Sequence, residues 1–372
     1  GMASVNPLVD LRFHTLTIPF RQRFSHASAS RDTTASVWVT ATTRAGHTGY
    51  GEACPRDYVT GETLASARAF FDTVRTEVLA AIHDAATLRA WISANAGRID
   101  AAPAAWCAIE LAVIDALARD AGQSAEAWLM LPETSGEFRY SAVLGDAPPD
   151  AFAATFARYH AMGFSDYKLK LSGDLARDRT KLTVLADPAV VRLRLDANNL
   201  WGDADAAIAY LKALAAPAFA IEEPLAVALT DELPRVARAL ELAIILDESL
   251  TRADQLATLN SDVRWIANLR ISKLGGVVRS LAVLAAAQAH GIGVIVGAQV
   301  GETSLLTRAS LTVARAAGES LLAQEGAFGT QLLQGDVCAP SLMFGAGGRL
   351  NFAPTGTGWG LACAPETAWL GP

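Results

Sequence analysis

The chain is poor in the residues from which several common sites are built. Four cysteines among 372 residues, Cys54, Cys107, Cys338 and Cys363, show no CxxC spacing, so neither a zinc site nor a disulfide framework is indicated. A reducing, cytoplasmic setting is expected. Histidine is sparse too, six in the chain, and His14, His47, His83 and His160 have no carboxylate or cysteine at ligand spacing, which leaves them surface or structural roles. Basic residues are outnumbered, 31 Lys and Arg against 38 Asp and Glu, for a net charge of −7. The positive field that neutralises phosphate backbones is missing, so nucleic acid is not an expected partner. No apolar run reaches the roughly 18 residues that suggest a membrane span, and GMASVNPLVDLRF has no basic segment followed by an apolar core. Membrane association is not expected either.

What the chain does have is apolar content, 51% of its residues, enough for a large core with a smaller second domain. VDLRFHTLTIPF, SVWVTATT and TGYGEAC alternate as strands of a three-stranded meander. From Glu62 the period becomes helical, through ETLASARAFFDTVRTEVLAAI, TLRAWISANA and AAWCAIELAVIDALARDAGQ, which makes residues 1–135 an α+β domain. After Phe138 strands and helices alternate. RYSAVLG, DYKLKL, VRLRLD, FAIEE, LAIILD, WIANLRI, GIGVIVGA and SLLAQE are eight candidate strands with helices between most of them, the first crossover being the one expected to be irregular. Residues 136–339 are therefore expected to form an α/β domain, a (β/α)8-type, TIM-like barrel. The Gly- and Pro-rich tail, about 340–372, is expected to return to the first domain.

Asp196, Glu222 and Asp247 close three successive apolar runs at intervals of 26 and 25 residues, the spacing of strand tips in a repeated βα unit. Lys168 and Lys170 precede them by about one unit, and Lys273 follows 26 residues after Asp247. In a barrel of this kind the βα loops at the C-terminal strand ends carry function, so six ionisable groups are expected to meet at one mouth. Three carboxylates between ammonium groups suit a hard divalent cation, Mg2+ or Mn2+, flanked by acid/base lysines. Lys168 and Lys170 lie two apart on one strand and point the same way, so each ammonium disfavours protonation of the other. Each residue alone has a blander reading: Asp196 as a loop acid, Lys273 as a Schiff-base lysine, Gly275 and Gly276 as plain turn residues. Six in register are harder to dismiss.

KLK, DANNLW, IEEP, DES and SKLGG, in this order, resemble the enolase superfamily, muconate lactonizing enzyme subgroup. GEACPRDYVTGET and the helix AAWCAIELAVIDALARDAGQSAEAWL resemble its amino-terminal capping domain. The resemblance covers nearly the whole chain and implies a modified barrel with an α+β cap, a small carboxylate-bearing substrate and a homo-oligomer. It implies metal-ligand roles for Asp196, Glu222 (rather than its neighbour Glu223) and Asp247. Lys170 becomes the acid/base on one face, Lys168 its electrostatic partner, and Lys273 the acid/base or cation on the opposite face. Asn198 and Glu248 fall beside ligands, Glu302 near the substrate, and Arg56, Tyr58, Arg23 and Arg31 in loops over its distal part. His26 falls in such a loop as well. GIGVIVGAQVGETS carries no His at its tip, so the His and Asp pair of a mandelate racemase-like site is missing.

The chemistry implied is enolate formation or protonation next to a carboxylate. A muconate cycloisomerase-like reaction leads. Dipeptide epimerisation, N-acylamino-acid racemisation and o-succinylbenzoate synthesis are the alternatives within the family, and a non-catalytic metal- or ligand-binding barrel is the alternative outside it. Dipeptide epimerases of this family typically carry an Asp-x-Asp pair after the eighth strand that holds the substrate ammonium, whereas SLLAQEGAFG offers only Glu325.

Overall fold

The computed structural model describes residues 5–21 and 32–372, and Arg23, His26 and Arg31 lie outside the described residues. The chain opens with the expected meander, β1 (Leu8–Leu16), β2 (Ser36–Thr43) and β3 (Thr48–Ala53), all antiparallel. The helix Pro103–Asp120 lies against this sheet and is buried along almost its whole length. Glycine is what permits the contact. A Cβ on Gly49 would stand 2.2 Å from the Ala112 carbonyl oxygen, and one on Gly51 would stand 1.8 Å from that of Ala108. Backbone therefore packs on backbone, with the alanines of the helix supplying the matching flat face.

RYSAVLG divides between two sheets. Its first part is β4 (Gly136–Arg139), which pairs antiparallel with a late strand, and its second is β5 (Ala142–Leu144). The division falls at two adjacent amides: Tyr140 N–H donates to Gly348 O and Ser141 N–H donates to Gln324 O, each at 2.7 Å. From β5 the order is β6 (Asp166–Lys170), β7 (Arg192–Asp196), β8 (Ala220–Glu222), β9 (Ala243–Leu246), β10 (Trp265–Leu269), β11 (Gly293–Val296) and β12 (Leu321–Gln324). These eight strands are parallel and neighbour one another in sequence order, and the Ser141 to Gln324 bond brings the first strand to the last. The first crossover is an ordinary helix, Pro149–Ala161. Irregularity appears instead between β9 and β10, where the expected helix is replaced by a short 3₁₀ turn, Ala253–Leu256. The tail supplies β13 (Arg349–Phe352), the partner of β4, and β14 (Leu370–Gly371), which joins β1 at the edge of the first sheet.

Buried acids of the amino-terminal region hold the barrel helices. Glu52 accepts hydrogen bonds from Thr303 N, Thr303 Oγ1 and Leu306 N at the start of the helix Ser304–Ala317. Glu110 accepts from Val277 N at 2.7 Å at the start of the helix Val277–Ala289, where Gly276 (φ 99°) leaves no side chain to obstruct it. A helix N-terminus exposes unpaired N–H groups and a partial positive charge, so a carboxylate there satisfies both. Burial nonetheless pushes each acid up to about 7. A third contact is ionic: Glu126 pairs with Arg308 at 2.7 Å, both of them buried.

Candidate active site

Strand register brings the chemistry to one level. Lys170 is opposite Asp196, and Asp196 is opposite Glu222, each the last residue of its strand. Asp247 follows β9, and its N–H is held at 2.9 Å by Glu223 Oε1. Glu222 and Glu223 thus divide their work as alternating strand residues should. Glu222 turns inward, where Lys168 donates to it at 3.0 Å and Asn268 Nδ2 at 2.9 Å. Glu223, at φ 43°, turns to the next loop and accepts from Asp247 N, Ser249 N, Ser249 Oγ and Asn199 Nδ2. Asn198 adopts φ 48°, within the left-handed region that asparagine tolerates, and its N–H donates to Asp196 Oδ1 at 3.0 Å.

These groups floor a cavity of about 680 Å³ whose lining includes Lys168, Lys170, Asp196, Asn198 and Glu248. Tyr58, Val227, Val300 and Phe328 give its outer part an apolar wall. Lys168 is the centre of the buried charge, within 3.0 Å of Glu222 and of Glu325 and 3.3 Å from Asp196. Burial opposes its charge, yet Glu222, Glu325 and Asp196 together hold the ammonium above the usual lysine range. Lys170 moves the other way. Burial is the main cause, and the Lys168 and Arg270 charges add to it against the pull of Asp196. The mutual repulsion of the two lysines is therefore present but secondary. Burial also raises Glu222 well above the carboxylate range, reinforced by Asp196, Asp247 and Glu325, and lifts Glu248 to about 8.

As they stand, no three His, Cys, Asp or Glu side chains among the described residues group closely enough to hold a metal ion. Cations intervene: Lys168 sits among Asp196 and Glu222, while Arg270 and Lys273 lie 2.5 and 3.0 Å from Asp247. The donor set itself fits a hard divalent cation. It is all oxygen, and it concentrates three buried carboxylates at neighbouring tips, where Asp196 Oδ2 and Asp247 Oδ2 are met by the ammonium of Lys168 and the guanidinium of Arg270.

Five candidates from the sequence are absent from the cavity lining: Glu222 and Asp247, which belong to the buried charge beneath it, and Lys273, Arg56 and Glu302. Lys273 lies on the short helix Ile271–Leu274 beyond β10 and is fully buried. Its Nζ donates to Asp247 O, Asp247 Oδ1 and Asn268 O, which uses all three of its protons. Arg270, the first residue after β10, lines the cavity in its place. Arg56 is also buried, and its guanidinium donates to the Ala35, Pro55 and Val300 carbonyls, tying the amino-terminal region to the loop after β11. Glu302 accepts from Gln299 N at 2.6 Å and shapes that loop, while Gln299 reaches the cavity. Tyr58 does line the cavity mouth and is 60% exposed. Sequence reasoning missed Arg270, Arg194 and Asn268. Arg194 and Asn268 hold Glu325 at 3.1 and 3.2 Å.

Ionisable side chains gather at the C-terminal mouth of a parallel barrel, under an α+β region that caps its helices, the face on which the βα loops of barrel enzymes carry function. Comparison with known proteins gives the family. Residues 151–367 match the family described as enolase C-terminal domain-like. The chain belongs to the enolase superfamily, in its mandelate racemase/muconate lactonizing enzyme branch, and is an isomerase or lyase of that superfamily. A hydrophobic dipeptide epimerase of Roseobacter litoralis is 29% identical over 277 residues, covering 73% of this chain and 77% of that protein. An L-Lys-D/L-Arg epimerase of Methylococcus capsulatus is 30% identical over 301 residues, covering 78% and 82%. Among solved structures, a magnesium-bound dipeptide epimerase from Methylococcus capsulatus superimposes with TM-score 0.79 at 26% identity, over 96% of this chain and 99% of the other. An N-succinyl Arg/Lys racemase from Bacillus cereus superimposes at 0.83 and 21%, over 96% and 95%.

Proposed function

We propose that the protein is a Mg2+-dependent enzyme that removes the proton next to a carboxylate of a small substrate, with Lys170 as the base. One observation carries the reading: Lys170, Asp196 and Glu222 end adjacent strands in register, which sets a base beside anionic oxygens at one level of the cavity. Asp196, Glu222 and Asp247 would hold the cation, whose chemistry is to stabilise the negative charge that develops on the substrate carboxylate. Lys170 is depressed by burial and by its cationic neighbours, which favours the neutral amine a base requires. Lys168 keeps its charge and balances the carboxylates.

The relatives favour racemase or epimerase chemistry on dipeptides or N-succinyl amino acids. The cavity favours substrates without a free ammonium. Glu325 is engaged by Lys168 and Arg194, and Asp146 by Arg177 and Lys181. The segment 22–31 contains no acid at all. Among the described residues Glu248, beside Asp247 at the strand tips, is the cavity-lining carboxylate without an ion pair, so an ammonium would be met only against the metal-ligand cluster, and an acylated nitrogen before an apolar side chain suits the outer wall better. In D2O with Mg2+, N-succinyl amino acids should acquire deuterium at the α-carbon, faster than dipeptides with a free amine, and Lys170→Met should abolish it. Exchange that survives Lys170→Met would remove that residue from the role.

A further inference from the structure

β6 and β10 stand four places apart in a ring of eight strands, so their tips face each other across the barrel. β6 ends with Lys170; the residue that follows β10 is Arg270. Both line the same cavity, and the lysines among its lining, Lys168 and Lys170, come from the same wall. The one lysine near the opposite wall, Lys273, has each proton committed to a carbonyl or carboxylate oxygen beneath the floor.

Arg270 is fixed where a second base would have to stand. Its NH2 is 2.5 Å from Asp247 Oδ2, its NH1 donates to Gln299 Oε1 at 3.1 Å, and its buried Nε has no hydrogen-bond partner. A guanidinium in this setting remains a cation with five donors and no lone pair to offer a proton. It can attract the negative charge of a bound carboxylate or enolate. It cannot take a proton from carbon.

We propose that proton transfer in this protein is confined to the Lys170 face, Arg270 serving as a fixed cation on the other. The inference rests on the enolate reading above and narrows it. Lys170 Nζ takes the proton as the Cα–H bond breaks, the electron pair passes into the enolate, and the same ammonium can return a proton only to the face it left. Overall chemistry must then be completed at another atom of the substrate rather than by inversion at carbon: the enolate's electron pair expels a leaving group from the β-carbon, opening a ring where that group is tethered, or, in the reverse direction, a tethered carboxylate adds there and the Lys170 ammonium delivers its proton to Cα. That favours the cycloisomerase or lyase members of the class over two-base racemases.

The test uses the full-length enzyme with Mg2+ in D2O and single-enantiomer N-succinyl amino acids. Mass spectrometry reads deuterium, and chiral chromatography reads configuration. Exchange with retention is expected for the wild type. Arg270→Lys should raise the ratio of inversion to exchange by on the order of 10²-fold, the contribution of a positioned general acid or base. Wild-type enzyme that interconverts the enantiomers as fast as it exchanges them would overturn the proposal while leaving the enolate reading intact. No exchange with any compound would sink both. Placement is tested without turnover by labelling with a small amine-reactive ester and peptide mapping, since the chain has only five lysines: 168, 170, 181, 212 and 273. Lys170 should be modified and Lys273 protected, and Arg270→Lys should add a modified site at 270. Equal labelling of Lys170 and Lys273 would mean that both face the cavity, and the one-sided mechanism would fall.

Discussion

Arg308→Met should destabilise the protein far more than a typical buried substitution. In the folded state the guanidinium gives NH2 to Glu126 Oε2 at 2.7 Å, Nε to Trp359 O at 2.9 Å and NH1 to Thr312 Oγ1 at 3.1 Å. It also lies over the rings of Phe352 and Trp359, 4.6 and 5.3 Å from their centroids. Methionine keeps most of the apolar contact but leaves Glu126 buried with one remaining side-chain partner, Thr312. Removing one member of a buried pair costs about 3–5 kcal/mol, most of it the uncompensated charge. With a urea m-value of about 3 kcal/mol/M, the upper end of the small-protein range, the midpoint should fall by roughly 1–1.7 M. The double variant Glu126→Leu with Arg308→Met removes both charges and should recover much of that loss. The pH dependence has a definite sign. Despite burial, the Arg308 contacts hold Glu126 below its ordinary 4.5, so the pair's contribution is present above that pH and is lost as pH falls through the folded value. The gap between wild type and Arg308→Met should therefore narrow in acid. A single variant within 1 kcal/mol of wild type, or a double variant no better than the single, would refute the reasoning.

Two further expectations concern the acids that organise the barrel face. Glu223→Ala strips four accepted hydrogen bonds from the loops that carry Asp247 and Asn199, so Mg2+ affinity measured by calorimetry should fall by roughly 10- to 100-fold, with Glu223→Gln less affected. Unchanged affinity in Glu223→Ala would show that Asp247 is positioned by other means. Glu110, pushed to about 7 by burial from an ordinary 4.5, binds more protons folded than unfolded, so its contribution to stability should decline from pH 4.5 to about 7 and level off above. Urea midpoints of Glu110→Gln should show a shallower decline over that range, and an identical slope would exclude Glu110 as its source.

The parts of the fold and site legible from sequence were those that repeat. Apolar runs marked all eight barrel strands, those of β6 to β10 each closed by a charged residue, and the 26-residue interval aligned Asp196 with Glu222 because β7, its helix and β8 form a full βα unit. The same interval misdirected the reading at Lys273. Between β9 and β10 a 3₁₀ turn stands where a helix would be, the unit is shorter, and a constant step overshoots the tip by one helical turn, from 270 to 273. A local signal was available. Lys170, Asp196 and Glu222 each end their strand, and by that rule Arg270, directly after the apolar run of β10, is the tip residue in LRISK. Arg56 and Glu302 misled for another reason: each is a charged residue in a promising loop, spent on backbone groups of the loop after β11 that no spacing could reveal.

Glu52 and Glu110 also determine how this architecture can be divided. Each completes the first turn of a helix that belongs to the barrel, so two of the crossovers around the candidate site are finished by residues more than 160 positions earlier in the chain. A chimaera that exchanged the amino-terminal region for a relative's would inherit open helix starts unless the incoming segment offered acids at the same two places. The cap is in that sense part of the wall it covers, and variation in its loops is cheap only where those two anchors stay put.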